Sequence, residues 1–373
     1  MANSHNEGMR TLFVAAGGGG DAVGILLARR VLDPDGEGPP LISTCAWERL
    51  RIDPVPGPRP ISGFTGLGDV DGAAVEVLRT SDTTPPGCSV LPRLADEADA
   101  RIFLHDFEGG AQRLAAQLKH LAKALRVNRI VVVDVGGDVV ATGDEPNLLS
   151  PLADSLTLAG ALATGIPTSL AVVGPGTDAE LSEDEVLERL HDVGARQLGQ
   201  VALSDVELCA DVLDWHPTEA SALVAAAALR ARGAVEMRRG RAPIPLTKRG
   251  SEIWIAEEPR LGSFPVAASL VSSPDLQSAV DAIDHLPANE IAYERAKAEH
   301  LLSPTLSSSH SLLETAEEAI RNGASHITSR RLLEQLGVAR SADKAILDDL
   351  RSHAERVAGL WDLKSLVAGE RVN

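Results

Sequence analysis

The sequence predicts an α/β protein, with a doubly wound, mostly parallel, Rossmann-like sheet and a C-terminal helical appendage. Three observations predict it. Short runs rich in Val and Ile alternate with helical stretches through most of the 373 residues, and apolar runs without alternation suit strands covered on both faces. Two such runs end in glycine-and-acid turns, Gly17-Gly18-Gly19-Gly20-Asp21 and Asp134-Val135-Gly136-Gly137-Asp138. From about residue 274 the pattern becomes wholly helical.

Taken in order, strands are expected at 11–16, 40–45, 72–79, 101–105, 129–134, 167–173, 252–257 and 265–271. Helices are expected at 21–32, 110–126, 151–164, 183–194 and 217–232. Ser150 before Pro151 fits an N-cap with proline at the first helical position. Ser182 with Glu185 makes a capping box, and Pro217 opens the Ala-rich helix. Residues 53–70 are too rich in Pro and Gly for regular structure and read as either a functional lid or a connecting loop. Residues 1–9 read as a disordered leader, 10–273 as the Rossmann-like domain and 274–373 as the appendage. The stretch 327–338 has faint helix-turn-helix character, but the acidity of the chain favours packing.

Composition narrows the function. The content is 44% hydrophobic and only 3% aromatic, so the core is built from Ala, Val, Leu and Ile. A formal charge of −18 opposes a phosphate backbone, which disfavours nucleic acid. The basic cluster Arg238-Arg239-Gly240-Arg241 with Lys248-Arg249 reads as a solvated loop. Cys45, Cys88 and Cys209 are odd in number and far apart, which fits free thiols in a cytoplasmic protein. No apolar run approaches a membrane span. The Ala-rich helix faces leave room for a homodimer.

The two glycine-and-acid turns carry the chemistry. Ligands of open α/β sheets collect at the carboxyl ends of strands, where backbone N–H groups close around an anion. Gly17, Gly18, Gly19 and Gly20, running into Asp21-Ala22, match the loose dinucleotide pattern G-x-G-x-x-A. The acid expected after the second strand comes late, as Glu48 or Asp53, so contact with a phosphate or sugar is the firmer expectation. Asp134, Asp138, Asp144, Glu145 and Asp154 crowd five carboxylates into 21 residues. Their repulsion calls for a cation, a shared proton or hydrogen-bond donors. Oxygen-only ligation suits Mg2+ or Ca2+, with Asp134 and Asp138 as ligands; acid–base work or binding of ribose hydroxyls stays equally open for this pair. Gly136 and Gly137 are expected to add N–H donors. Asp106 and Asp178 end two further strands. Trp47, Glu48 and Arg49 could stack on and orient a base or sugar, although packing is the plainer role for Trp47.

The N-terminal strand with its glycine turn, Cys45-Ala46-Trp47-Glu48-Arg49 followed by Asp53-Pro54-Val55-Pro56-Gly57-Pro58, the 134–154 block and His216-Pro217-Thr218-Glu219-Ala220-Ser221 together resemble the domain of unknown function 1152 family. The resemblance covers roughly residues 10–260 and implies that these turns form one group; it implies no activity. The residues themselves favour a hydrolase-like enzyme, cleaving a glycosidic or phosphoryl bond of a nucleotide, nucleoside or phosphorylated sugar. In that reading Asp21 or Asp154 is the general base. A non-catalytic nucleotide-binding sensor and a dinucleotide-dependent oxidoreductase are the alternatives.

Overall fold

The computed structural model describes residues 10–237, 242–286, 289–302 and 311–370. The expected leader at 1–9 and the core of the basic cluster at 238–241 lie outside the described residues. The strands in chain order are β1 (Thr11–Ala15), β2 (Leu41–Thr44), β3 (Phe64–Thr65), β4 (Gly68–Val70), β5 (Ala73–Val77), β6 (Asp82–Thr83), β7 (Arg101–Leu104) and β8 (Arg129–Val135). They continue with β9 (Thr168–Val173), β10 (Arg196–Gln200), β11 (Gly233–Glu236), β12 (Ile244–Leu246), β13 (Glu252–Glu257), β14 (His326–Thr328), β15 (Arg356–Val357) and β16 (Leu360–Asp362).

The main sheet has the order β10-β13-β9-β8-β1-β2-β7-β5-β4. Its five central strands, β9-β8-β1-β2-β7, are parallel. The flanking pairs are all antiparallel, so the sheet is mixed, though mostly parallel at its centre. The chain lays β1, β2 and β7 outward in one direction and then returns to place β8 and β9 on the other side of β1. That reversal opens a crevice beyond the carboxyl ends of β1 and β8, which pair from Thr11↔Arg129 to Ala15↔Val133.

Both faces of the central strands are buried, which explains their unbroken apolar runs. Leu12, Val14, Ile130 and Val132 pack under helices Gly110–Leu125 and Pro151–Leu162. Phe13, Ala15, Val131 and Val133 pack under helix Gly19–Leu32 on the opposite face. Helix Glu183–Asp192 starts with the expected capping box, Ser182 and Glu185 bonding each other's backbone.

Several expectations need correction. Residues 265–271 hold a helix, Pro265–Leu270, with proline at its first turn; a short apolar run has no period that separates strand from buried helix. The Ala-rich helix starts at Ala220, three residues after Pro217. Ser150 does not cap helix Pro151–Leu162, because its hydroxyl bonds Glu180. Residues 53–70 form an ordered connection that includes β3 and β4 and is pinned by an Arg59–Asp53 ion pair at 2.5 Å.

The region after 274 is not wholly helical. It has helices, among them Glu290–Leu302, Leu312–Arg321, Ser329–Leu336 and Asp343–Leu350, but β14 also pairs parallel with β11 in a second sheet, β12-β11-β14-β16-β15. Three-residue strands are too short to write a period into the sequence. Within 327–338 a strand gives way to helix Ser329–Leu336. The next helix, Asp343–Leu350, is acidic and docks through an Arg51–Asp343 ion pair. Among the described residues no helix is long and apolar enough to cross a membrane.

Candidate functional site: a buried carboxylate cleft at the sheet crevice

The first turn leaves β1 after Ala16, whose N–H makes the last ladder bond to Val133 at 2.9 Å. Gly18 takes φ +109° and precedes helix Gly19–Leu32; that backbone shape favours glycine. Asp21, in the first helical turn, accepts a 2.6 Å bond from Gly17 N–H, which ties the helix start back to the end of β1. Gly24 lets the helix lie on β8, since a Cβ there would fall 2.1 Å from Val135 Cγ2.

The second turn spends its glycine amides within the protein. Asp134 accepts from Gly137 N–H at 3.3 Å and from Val139 N–H at 3.0 Å. Gly136 N–H bonds the Val173 carbonyl at 3.1 Å. Gly136 has φ +122°, and a Cβ on it would sit 2.3 Å from Asp178 Cγ. Gly136 and Gly137 therefore bring acids together, and the expectation that they offer N–H groups to a ligand is corrected.

Above the turns lies a cavity of about 140 Å3. It is lined by Asp21, Glu48, Asp134, Asp138, Asp154, Asp178, Glu180, Glu219 and Glu290, against two guanidinium groups, Arg49 and Arg330. One oxygen each of Asp21, Asp134 and Asp154 lies within 4.8 Å of the others, and all three residues are buried. Two oxygens on opposite sides of one Ca2+ stand about 4.6–5.2 Å apart, so the trio fits a hard cation. Burial is the first cause that pushes these carboxyls up, Asp134 to about 7 and Asp21, Asp138 and Asp154 well above the usual range. Neighbouring acids add to it: Asp134 acts on Asp21, and Asp154 on Asp138. Glu48 and Glu290 are raised by burial as well. Carboxylates so placed hold protons or share a cation.

Of the residues expected from sequence, Asp21, Asp134, Asp138, Asp154, Asp178, Gly17, Gly19, Gly20, Trp47, Glu48 and Arg49 line this cleft. The cation trio differs from the expected pair: Asp154 and Asp21 join Asp134, and Asp138 stands beside them. Trp47 is buried and its Nε1–H donates to Glu294 at 2.9 Å, so it is chiefly packed. Glu48 is oriented by Ser89 Oγ–H and Val90 N–H, each at 2.9 Å. Gly18 shapes the turn without lining the cleft. Gly136 and Gly137 lie behind the acids, and two expected acids lie elsewhere. Glu145 closes its own loop, accepting from Thr142 and Gly143 N–H at 2.8 Å and pairing with Arg189 at 2.7 Å. Asp106 anchors Ile61 N–H at 3.0 Å.

Sequence reasoning missed Glu180, Glu290 and Arg330 as lining residues, and it grouped His216 with the glycine turns only through the family resemblance. Glu180 accepts from Leu149 and Ser150 N–H at 2.8 and 2.9 Å, holding the start of the helix that carries Asp154. Glu290 and Arg330 come from the C-terminal region, and Arg330 pairs with Glu219. Glu180 looks like any loop acid, and Glu290 and Arg330 like any charged residue near a helix start, so nothing in the sequence marked them.

Fold and site thus define a mixed α/β protein with an acid-lined cleft at the reversal of its parallel strands. The model of the family described as "Protein of unknown function (DUF1152)" matches residues 12–298, and the chain belongs to that family. The match reaches past the expected limit near 260 and takes in Glu290, whereas Arg330 lies beyond it. No curated protein and no solved structure matches the chain.

Proposed function

We propose that the protein is a divalent-cation-dependent, hydrolase-like enzyme acting on a nucleotide, nucleoside or phosphorylated sugar in the cytoplasm. The observation that carries this reading is the buried trio Asp21, Asp134 and Asp154, with oxygens within 4.8 Å. Three carboxyls that close in a cleft facing a cavity cost stability unless something positive joins them. Mg2+ or Ca2+ bound there would neutralise the acids and polarise a ligand oxygen. Asp138, outside the trio, is the general base for water, a role that passes to it because Asp21 and Asp154 are occupied as ligands. Substrate hydroxyls would find acceptors in Glu48 and Asp178.

A dinucleotide-dependent oxidoreductase is the second reading. It is favoured by the order of the five parallel strands, β9-β8-β1-β2-β7, which reverses at β1, and by the glycine turn that follows β1. Against it stands the start of that turn: Gly17 N–H is already given to Asp21, and a Cβ on Gly17 would lie 2.9 Å from Asp154 Oδ1, so the first glycine has neither a free amide nor room for a pyrophosphate.

The test is calorimetric titration of the full chain with Mg2+ and Ca2+, then turnover assays on nucleosides, nucleotides and sugar phosphates with cation or chelator. Saturable cation binding with chelator-sensitive product formation supports the reading. A chain that binds neither ion removes it, and retention of a nicotinamide or flavin would move the assignment to the oxidoreductase.

A further inference from the structure

The segment between helices Ala210–Trp215 and Ala220–Ala228 lies over the first glycine turn. In it His216 is only 8% exposed and lines the cleft. Its Nδ1 accepts from Thr218 N–H at 3.2 Å. An accepting Nδ1 carries no proton, so in the neutral ring the proton is on Nε2. Burial, with Arg93 nearby, holds the ring neutral at physiological pH by moving its pKa down to about 3. Nε2 is buried and has no hydrogen-bond partner. A buried N–H without an acceptor is costly, and here it faces a cavity.

What surrounds that N–H is specific. Nε2 lies 3.6 Å from where a Cβ on Gly19 would be, and Thr218 Oγ1 lies 3.1 Å from where one on Gly20 would be. Gly19 and Gly20 open a helix of 14 residues, and amides in the first turn of a helix have no carbonyl of their own to bond. Glycine at both positions leaves room between the helix start and the 216–218 segment. Beyond them lies a larger chamber of about 630 Å3 that shares Ile52, His216, Thr218, Glu219 and Arg330 with the acidic cleft. Its lining includes Arg340 and Lys344, which make no ion pair among the described residues. In a chain of net charge −18 that local basic character is an exception, and it points an anion toward this junction.

We infer that the amides of Gly19 and Gly20, the Nε2–H of His216 and the Thr218 hydroxyl form a subsite for the phosphate group of a phosphorylated small molecule. The inference rests on the proposed enzyme reading and sharpens it: the ligand is a phosphate ester, not a bare nucleoside. The phosphate sits at the junction, the reacting part reaches the carboxylates, and the remainder occupies the basic chamber. Neutral, dipolar donors suit this place, because a cationic ring would be drawn into the neighbouring acids instead.

The test compares binding of D-ribose 5-phosphate, D-ribose and inorganic phosphate to the full chain, each with Mg2+ and with chelator. Wild-type protein is expected to bind ribose 5-phosphate at least about tenfold tighter than ribose, the effect of one or two hydrogen bonds to a charged oxygen. His216→Ala should erase that preference, and His216→Gln, which restores an N–H donor, should recover part of it. Inorganic phosphate bound with the same dependence on residue 216 supports the subsite as a product site. If the variants misfold, NMR of wild-type protein with 15N-labelled histidine decides: the Nε2 resonance of His216 must shift on adding ribose 5-phosphate, and an unmoved resonance overturns the inference. No preference for the phosphate ester in wild type overturns it too. Mg2+ binding measured on the same samples separates the two ideas. Intact Mg2+ binding without phosphate preference sinks only the subsite, and phosphate preference without Mg2+ binding sinks only the cation-dependent reading.

Discussion

The turn at residues 17–21 and the turn at residues 134–138 share a sequence grammar, a buried strand followed by glycines and aspartates, yet they solve opposite problems. In the first, an acid from the following helix reaches back to bond Gly17 N–H, and Gly19 and Gly20 line the cleft at the start of that helix. In the second, Gly137 and Val139 N–H turn inward to Asp134, and Gly136 is glycine because Asp178 packs where its side chain would be. One turn presents donors and the other organises acceptors. The lesson is that glycine after a strand marks close approach, while the hydrogen-bond inventory decides whether a ligand or the chain itself is approached.

That contrast can be broken by four measurements. The largest effect is expected for Gly136→Ala, which forces positive φ on alanine and drives a Cβ into Asp178. It should lose about 3 kcal/mol or more in urea unfolding; a loss under about 1 kcal/mol would mean the second turn is not packed as described. Next is Asp134→Asn. Asparagine removes the charge but sets its NH2 against one of the two N–H groups that Asp134 accepts, so stability should fall by about 1–2 kcal/mol while cation affinity falls about 100-fold by calorimetry. Unchanged affinity would show that the trio is not a ligand set.

A third strand-end turn supplies a pH test. His105, after β7, bonds Ser43 through Nδ1 at 2.8 Å and is held neutral by burial, with its pKa down to about 3. An unfolded chain takes up this proton below about pH 6.5 and the folded one does not, so stability falls as pH drops from 6.5 toward 3. The slope is at most roughly 1.4 kcal/mol per pH unit for this group. His105→Gln should flatten the difference between urea curves at pH 7 and pH 5 by up to about 2 kcal/mol. An identical pH dependence in the variant would mean that the imidazole reaches solvent. The smallest effect on stability belongs to Gly20→Ala. Alanine favours a helix by up to about 1 kcal/mol over glycine, and the contact with Thr218 Oγ1 is only tight. Stability should therefore change by under about 1 kcal/mol while ribose 5-phosphate binding weakens. Gly20→Ala and Gly136→Ala thus exchange their effects, one on binding and one on folding.

Much of this was legible in the chain. β8 declares itself by a run of Ile and Val, β1 and β9 by short apolar runs, and strand ends by glycine beside aspartate. Crowding of acids between 134 and 154 announced a site, because repulsion of that kind is tolerated only with a partner. The rest was hidden for physical reasons. Glu145 looks like Asp138 in sequence, but Thr142, Gly143 and Arg189 consume its oxygens. Gly24 looks like a flaw in a helix until Val135 is seen against it. The antiparallel β13 carries a buried apolar run much like that of its neighbour β9, so its direction had no sequence signature. Glu290 and Arg330 belong to the cleft only through long-range pairing, with Trp47 Nε1–H bonded to Glu294 and β14 beside β11.

That late contribution has a consequence for assembly. The acids that form the floor of the cleft are synthesised long before helix Glu290–Leu302 and Arg330 arrive to wall it. During that interval they face bulk water, where repulsion is weak and ions exchange freely. Docking of the C-terminal region then adds Glu290 and Arg330 to the lining of the cleft. Cation supplied during refolding is therefore expected to load faster than cation added to the folded chain, and equal loading rates by stopped-flow would show that the wall never acts as a seal.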